Sequence, residues 1–366
     1  MRKILFVTYQ PGSANNLVLI ARRFQRMMFD IAVVAVNGSR CVWSRAGFDI
    51  FNESDDMGQL DVQRTVSALK PALIVAGTSN EDSVESMFLK AAKEYGVKTV
   101  SFVDFWSKLR GRFLLSGELV VPEKILVLDD IMREEMVREG FDPQVINVVG
   151  SPHLENVRSC SRKLYDARSG ASAVRIAFFS QPIAELYGED ERSPNWFGYH
   201  EGTIVKSLVS CLDRVCYASD VRVGLTIGIH PRERDGEVVK AALHDRNDHS
   251  YNRALSVTVV KEDSLKLINE ADIVLGMTTI VLLESAIMGK DTLSIQINNN
   301  GRFNFKATEL GLIDGVFTEE DLFNKLSSLC LGMQMKHGNI PDKRNKLAHL
   351  YKGASDKFIN VCRAYL

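Results

Sequence analysis

Ala271-Asp272-Ile273-Val274-Leu275-Gly276-Met277-Thr278-Thr279-Ile280-Val281-Leu282-Leu283-Glu284-Ser285-Ala286-Ile287-Met288-Gly289-Lys290 reads as a buried strand, a small-polar turn and a helix that is apolar all round except for Glu284. A carboxylate among Ile280, Val281, Leu282, Leu283, Ala286 and Ile287 needs a partner, because desolvating a lone charge costs several kcal/mol even after relaxation. The hydroxyls of a ribose have the right chemistry. The amide-rich helix start at Thr278 and Thr279, about two turns away, suits a phosphate. Together these features point to a nucleotide pocket at the end of a strand in an α/β sheet.

The same alternation of short β-branched runs and helical spacing extends in both directions. Lys3–Tyr9 reads as a buried strand, Gln10–Ala14 as a turn, Asn15–Phe29 as a helix with Leu17, Ile20, Ala21, Phe24, Met27 and Met28 on its apolar face, and Ile31–Val36 as the next strand. Leu73–Gly77, a helix over Val84–Tyr95 and Thr99–Val103 repeat the unit. Lys124–Leu128, Asp130–Glu139 and Val145–Val149 continue it. Residues 151–174 lose the period and read as a linker. The pattern then restarts with Arg175–Ser180, a helix over Glu201–Tyr217, strands Arg222–Ile229 and Val257–Val260, the opening segment, and Leu293–Gln296.

The predicted fold is therefore α/β, with two Rossmann-like doubly wound parallel-sheet domains facing a cleft. The expected boundaries are 1–155 for the first domain, 156–174 for the linker, 175–340 for the second, and 341–366 for a C-terminal helix returning to the first. A chain of 366 residues exceeds what one core usually serves, which agrees with two domains.

Composition excludes several function classes. With 45% hydrophobic and 25% charged residues and a net charge of −1, the chain carries no general attraction for nucleic acid or anionic lipid. The most basic stretch, Lys336 to Lys352, reads as a solvated helix face. The six cysteines have no CxxC or Cys/His grouping at zinc spacing, so reduced thiols and no metal are expected. The apolar run at the start stops at Gln10-Pro11-Gly12, too early for a signal peptide, and no apolar stretch reaches membrane-spanning length. A cytoplasmic protein with at most peripheral membrane contact is expected.

Candidate site residues lie where strands end. The loop with Gly12, Ser13 and Asn15 follows the first strand, where α/β sheets bind ligands. It lacks G-x-G-x-x-G, and the second strand ends at Asn37-Gly38 without the acidic residue of NAD-binding folds, which argues against a dinucleotide dehydrogenase. The loop reads equally well as a Pro-Gly turn in which Gly12 supplies a positive φ. His230-Pro231, followed by Arg232 and Arg234, brings imidazole and guanidinium together as charge-assisted donors for an anion. Gln181 ends the first strand of the second half and offers both donor and acceptor to a base or sugar; the alternative is a plain proline-terminated strand. Glu201 begins a helix and complements its dipole.

Asp104, flanked by Phe105 and Trp106, reads as a general base favoured by apolar surroundings, with Trp106 available to stack on a sugar. The competing reading is an Asp held by Arg110 or Arg112. Asp129 reads as a helix N-cap.

These residues together resemble the GT-B glycosyltransferase superfamily. The Met277-Thr278-Thr279 turn, Glu284 and Gly289-Lys290 are similar to the donor-nucleotide segment of such enzymes and of UDP-N-acetylglucosamine 2-epimerases. The resemblance implies phosphates at the helix start and ribose at the Glu. His230-Pro231 is similar to the His-Pro motif of bacterial sialyl-, polysialyl- and glycerophosphate transferases, which implies a CMP- or CDP-linked donor beside the UDP alternative. The expected function is inverting, metal-independent transfer of a sugar to a bacterial surface glycan or lipid-linked acceptor, with no cofactor. Asp104 and His230 are the catalytic candidates; Gln181, Arg232, Thr278, Thr279 and Glu284 hold the donor. The alternatives are a UDP-sugar 2-epimerase or hydrolase, drawing on carboxylates such as Asp104, Glu185 and Glu201, and a non-catalytic nucleotide-sugar-binding subunit.

Overall fold

The computed structural model describes residues 2–52, 54–161, 173–233, 235–244, 254–302, 304–335 and 351–366. Most of the expected linker, Arg234 and nearly all of the basic stretch from Lys336 fall outside these. The chain divides into two compact units, Met1–Asn156 with His349–Leu366, and Val157–Ala348. Among the described residues no helix is long and apolar enough to cross a membrane.

The first unit runs β1 (Lys3–Thr8), α1 (Pro11–Arg26), β2 (Asp30–Ala35), α2 (Ser39–Arg45), α3 (Gln59–Leu69), β3 (Leu73–Ala76), α4 (Val84–Glu94) and β4 (Lys98–Phe102). A small antiparallel hairpin, β5 (Leu114–Leu115) and β6 (Glu118–Leu119), comes before β7 (Lys124–Val127), α5 (Asp130–Arg138) and β8 (Ile146–Val148). The main sheet is parallel, in the order β2-β1-β3-β4-β7-β8. Its strands are apolar on both faces, with Ile4, Leu5, Phe6, Val7 and Leu73 wholly buried, as a sheet covered by helices on each side demands.

Helix α6 (Pro152–Ser161) carries the chain across the unit boundary. The second unit runs β9 (Val174–Phe179), α7 (Ile183–Tyr187), α8 (Glu201–Ser219), β10 (Val223–Gly228), α9 (Glu237–His244), β11 (Leu255–Val260), α10 (Ser264–Glu270), β12 (Ile273–Gly276), α11 (Val281–Ile287), β13 (Asp291–Ile295), α12 (Lys306–Glu309), β14 (Asp314–Val316) and α13 (Glu319–Met335). Its parallel sheet has the order β11-β10-β9-β12-β13-β14. The last described helix, α14 (Ala354–Arg363), packs in the first unit, where Phe358 meets Phe102 at 5.6 Å between ring centres and Asp356 pairs with Arg23. Glu155 accepts the Gly353 and Ser355 amides at 2.7 and 3.0 Å and so caps this helix.

The strand orders locate the ligand edges. A doubly wound sheet opens a crevice at the carboxyl ends of the two strands where its order reverses. In the first unit these are β1 and β3; in the second they are β9 and β12.

Two expectations change in detail. The turn expected over Gln10–Ala14 is instead the first turn of α1, with Pro11 at its first position, where a missing N–H costs nothing and the fixed φ suits the helix. Helix α11 begins after Ile280 rather than at Thr278, which leaves both threonines in the preceding turn. Of the elements that periodicity does not forecast, α2, α10, α12 and the hairpin are too short to show a repeat, whereas α3 and α13, of 11 and 17 residues, are long enough and are missed.

Candidate functional site

In the second unit, Gln181 bridges the point where strand order reverses. Its Oε1 accepts the Thr278 amide at 2.7 Å and the Thr278 hydroxyl at 3.3 Å, joining the exits of β9 and β12. The Thr278 N–H, expected to face a phosphate, is thus engaged by Gln181. Thr279 shapes the following turn, its hydroxyl accepting the Val281 amide at 3.3 Å. The approach at Gly276 is close: a Cβ on it would lie 3.2 Å from both Thr279 Cγ2 and Leu282 Cδ2. Glu284, on α11, is 4% exposed.

A buried carboxylate organises the adjacent His-Pro-Arg turn. Glu233, 6% exposed, accepts the Ser180 hydroxyl at 2.7 Å and the His230 amide at 2.5 Å, tying the exit of β10 to that of β9. Burial pushes the Glu233 carboxyl up from its ordinary range, against the pull of those two donors. His230 Nδ1 accepts the Arg232 amide at 3.1 Å, so the neutral ring carries its proton on Nε2. Burial, aided by the Arg232 charge, pushes the imidazole down to about 4. At neutral pH His230 is therefore an uncharged N–H donor rather than the charge-assisted one expected from the sequence. Tyr187 lies near Arg232 and stacks on Phe197 at 4.2 Å.

Glu201, 2% exposed, reaches back to accept the Ala184 amide at 3.0 Å. It satisfies the start of α7, a role beyond the expected dipole match at its own helix. Burial raises its carboxyl, and the nearby Glu233 adds to the rise. Glu185 is exposed.

In the first unit, Asp104 follows β4 and pairs with Arg112 at 3.1 Å between Oδ1 and Nη1. This is the arrangement weighed above as the competing reading, and it replaces the expected apolar setting against Phe105 and Trp106. Trp106 is 8% exposed and donates to Asp129 Oδ2 at 2.8 Å, so it is not presented for stacking on a sugar. Asp129 also caps α5 by accepting the Met132 amide at 2.7 Å, as expected. Arg110 turns elsewhere, donating to the Glu139 carbonyl at 2.9 Å.

The loop after β1 lies at the other exit. Ser13 is fully buried against the end of β3, its hydroxyl 3.4 Å from the Thr78 carbonyl. Gly12 is helical and takes no positive φ; the glycine supplies room for Asp104 instead. Asn15 is half-buried on α1, and its neighbour Asn16 makes the structural contacts, with Nδ2 on the Gly12 carbonyl at 3.0 Å and Oδ1 accepting the Ser151 hydroxyl at 2.8 Å.

Sequence reasoning misses Glu85 here. Its carboxylate, 1% exposed, accepts the Tyr9 amide at 2.8 Å and the Ser79 hydroxyl at 2.9 Å, binding the exits of β1 and β3 together. Burial raises it as well. The available signal was weak, because Glu85 stands in the first turn of its helix, where an acid is ordinary.

No family model and no curated protein matches this sequence. Solved structures do. The UDP-GlcNAc 2-epimerase from Neisseria meningitidis bound to UDP-GlcNAc is 13% identical, with 99% of this chain and 100% of that one covered at a TM-score of 0.65. MurG of Acinetobacter baumannii is 11% identical, with 100% of both chains covered at a TM-score of 0.56. The glycotransferase of kitacinnamycin is 11% identical, covering 100% of this chain and 99% of that one at 0.62. End-to-end likeness at such low identity, over two parallel-sheet α/β units, shows that this chain has the GT-B type fold.

Proposed function

We propose that the protein transfers a sugar from a nucleotide-activated donor to a glycan or lipid-linked acceptor. The second unit holds the donor and the first supplies the base. In this reading the acceptor hydroxyl gives its proton to Asp104 as its oxygen bonds to the anomeric carbon. The bond from that carbon to the phosphate oxygen breaks, and the electron pair leaves with the nucleotide, inverting the centre. His230 Nε2–H, Arg232 and the Thr279 amide meet the charge growing on the phosphate, an electrostatic contribution commonly worth about 3–4 kcal/mol per well-placed donor. Glu284 orients the ribose. Gln181 acts through Thr278, and its amide group remains the candidate contact for the base. No metal or cofactor takes part in this scheme.

The observation that carries the reading is the Gln181–Thr278 bridge at the β9/β12 exit, beside a neutral His230 whose ring orientation is set by the backbone. Transfer is favoured over epimerisation because a 2-epimerase must manage protons with several carboxylates around the sugar. Here Glu201 is committed to the start of α7 and Glu185 is exposed. The rival keeps support from the full-length likeness to UDP-GlcNAc 2-epimerase structures.

Thermal shift with CMP, CDP, UDP, GDP and ADP, followed by turnover of the matching sugar donors with and without glycan and lipid-linked acceptors, separates the readings. Transfer is expected to require acceptor and to persist under chelation of divalent metals. Free UDP released from a UDP-sugar at a catalytic rate without acceptor would install the epimerase or hydrolase reading. A nucleotide that binds but never turns over would install a non-catalytic one.

A further inference from the structure

Arg112 is held by four acceptor atoms. Only 9% exposed, it donates through Nε to the Ser107 carbonyl at 2.9 Å and through Nη1 to the Thr78 carbonyl at 3.1 Å, the Thr78 hydroxyl at 3.2 Å and Asp104 Oδ1 at 3.1 Å. The loops after β3 and β4 therefore fix the guanidinium before it meets the carboxylate. Its planar fork turns that fixed position into a fixed direction for the Asp104 side chain.

The other carboxylate oxygen is placed by an absence. A Cβ built on Gly12 would stand 2.4 Å from Asp104 Oδ2 and 3.6 Å from its Cγ, far inside contact distance. Gly12 has an ordinary helical φ, so backbone conformation does not call for glycine. Space does. Among the described residues no group donates a hydrogen bond to Oδ2, while Oδ1 is occupied by Arg112.

We propose that Arg112 and Gly12 are positioning residues for Asp104: Arg112 holds Oδ1, and the missing side chain of Gly12 leaves the room that Oδ2 itself occupies, placing that oxygen to receive the acceptor proton. This rests on the assignment of Asp104 as the base. The pairing engages one oxygen and aims the other. Gly12 thereby takes a chemical role in place of the turn-forming one.

The test compares D104N, R112Q, R112K and G12A in acceptor-dependent nucleotide release from UDP-N-acetylglucosamine or CMP-N-acetylneuraminic acid, with glycan and lipid-linked acceptors supplied, and by crystallography. R112Q and G12A are each expected to lower kcat about 100-fold, the scale of a misplacement of roughly 1 Å. Donor KM should change by less than about twofold, since uniform binding is untouched. R112K, which restores the charge without the fork, should recover part of kcat. In a D104N background neither R112Q nor G12A should lower kcat further, which a merely structural role would not produce.

Parental kcat in G12A or in folded R112Q, with D104N inactive, overturns the positioning and leaves the base assignment standing. Parental kcat in D104N removes the base assignment and the positioning with it. Should R112Q fail to fold, G12A decides alone. A G12A crystal structure in which Asp104 keeps both oxygens in place overturns the proposal whatever the turnover.

Discussion

The carboxyl edges of the two sheets solve one problem in two ways. Each must gather strand exits into a rigid rim without leaving buried polar groups unpaired, an expensive failure in a low-dielectric interior. In the first unit a cation and an acid share the work: Arg112 joins the exits of β3 and β4 and engages Asp104, while Glu85 joins those of β1 and β3. In the second unit anions do it: Glu233 joins β9 to β10, and Glu201 caps α7. The imidazole there is held neutral. An edge built around a guanidinium can present a carboxylate, as a base requires. An edge that has no such buried guanidinium among the described residues, and whose acids Glu201 and Glu233 are spent on backbone amides, leaves N–H donors to face an anion. The difference between the two rims matches the division of labour proposed for them.

The largest expected effect comes from removing the presented carboxylate. D104N should lower turnover by about 10²–10⁴-fold, the range of a lost general base, with nucleotide affinity retained in calorimetry. Retained turnover would break the comparison at its first-unit end. E233A comes next. It strands the His230 amide and the Ser180 hydroxyl, so denaturant unfolding should show a loss of about 1–3 kcal/mol. E233Q, which keeps one acceptor oxygen, should lose less; equal losses would mean that burial, not hydrogen bonding, sets the cost.

Q181A should weaken nucleotide binding by roughly 3–10-fold in calorimetry, as expected for one net hydrogen bond, because the Thr278 turn loses its anchor. Unchanged affinity would detach the β9/β12 exit from the nucleotide.

The smallest effect is a slope. Unfolded, the His230 imidazole titrates near 6.5; folded, near about 4. Between those values the unfolded chain binds the extra proton, so this group lowers stability as pH falls through the window. Glu85, Glu201 and Glu233, whose carboxyls are raised, act in the opposite sense as pH rises above 4.5. Unfolding of H230Q followed from pH 7 to 4 should show the acid-side decline reduced relative to the parent. An identical decline would mean that His230 is not held neutral.

Much of this was readable without coordinates. The β-branched runs at Lys3, Leu73, Arg175 and Ile273 announce parallel strands because strands buried on both faces have little room for polar side chains. Glu284 stood out because an acid in an aliphatic helix has few ways to be satisfied. Glu85 and Glu233 carried weaker signals. One sits in a helix start that reads as ordinary, the other in a charged turn where an acid looks solvated. Asp104 was visible as a candidate, yet its aromatic neighbours in sequence misdirected the account of its surroundings, since Trp106 turns to Asp129 and Arg112 folds back from eight residues further on.

By itself the chain's order of residues determined the α/β class, the alternation of elements and the strand ends at which chemistry would be found, because apolar periodicity and turn chemistry are local properties. Which side chains meet at those ends was decided only in three dimensions. Gln181 with Thr278, Glu233 with Ser180, and Glu85 with Tyr9 lie 97, 53 and 76 positions apart. Their partnership depends on strand order, and strand order depends on how whole layers pack, which no local pattern encodes.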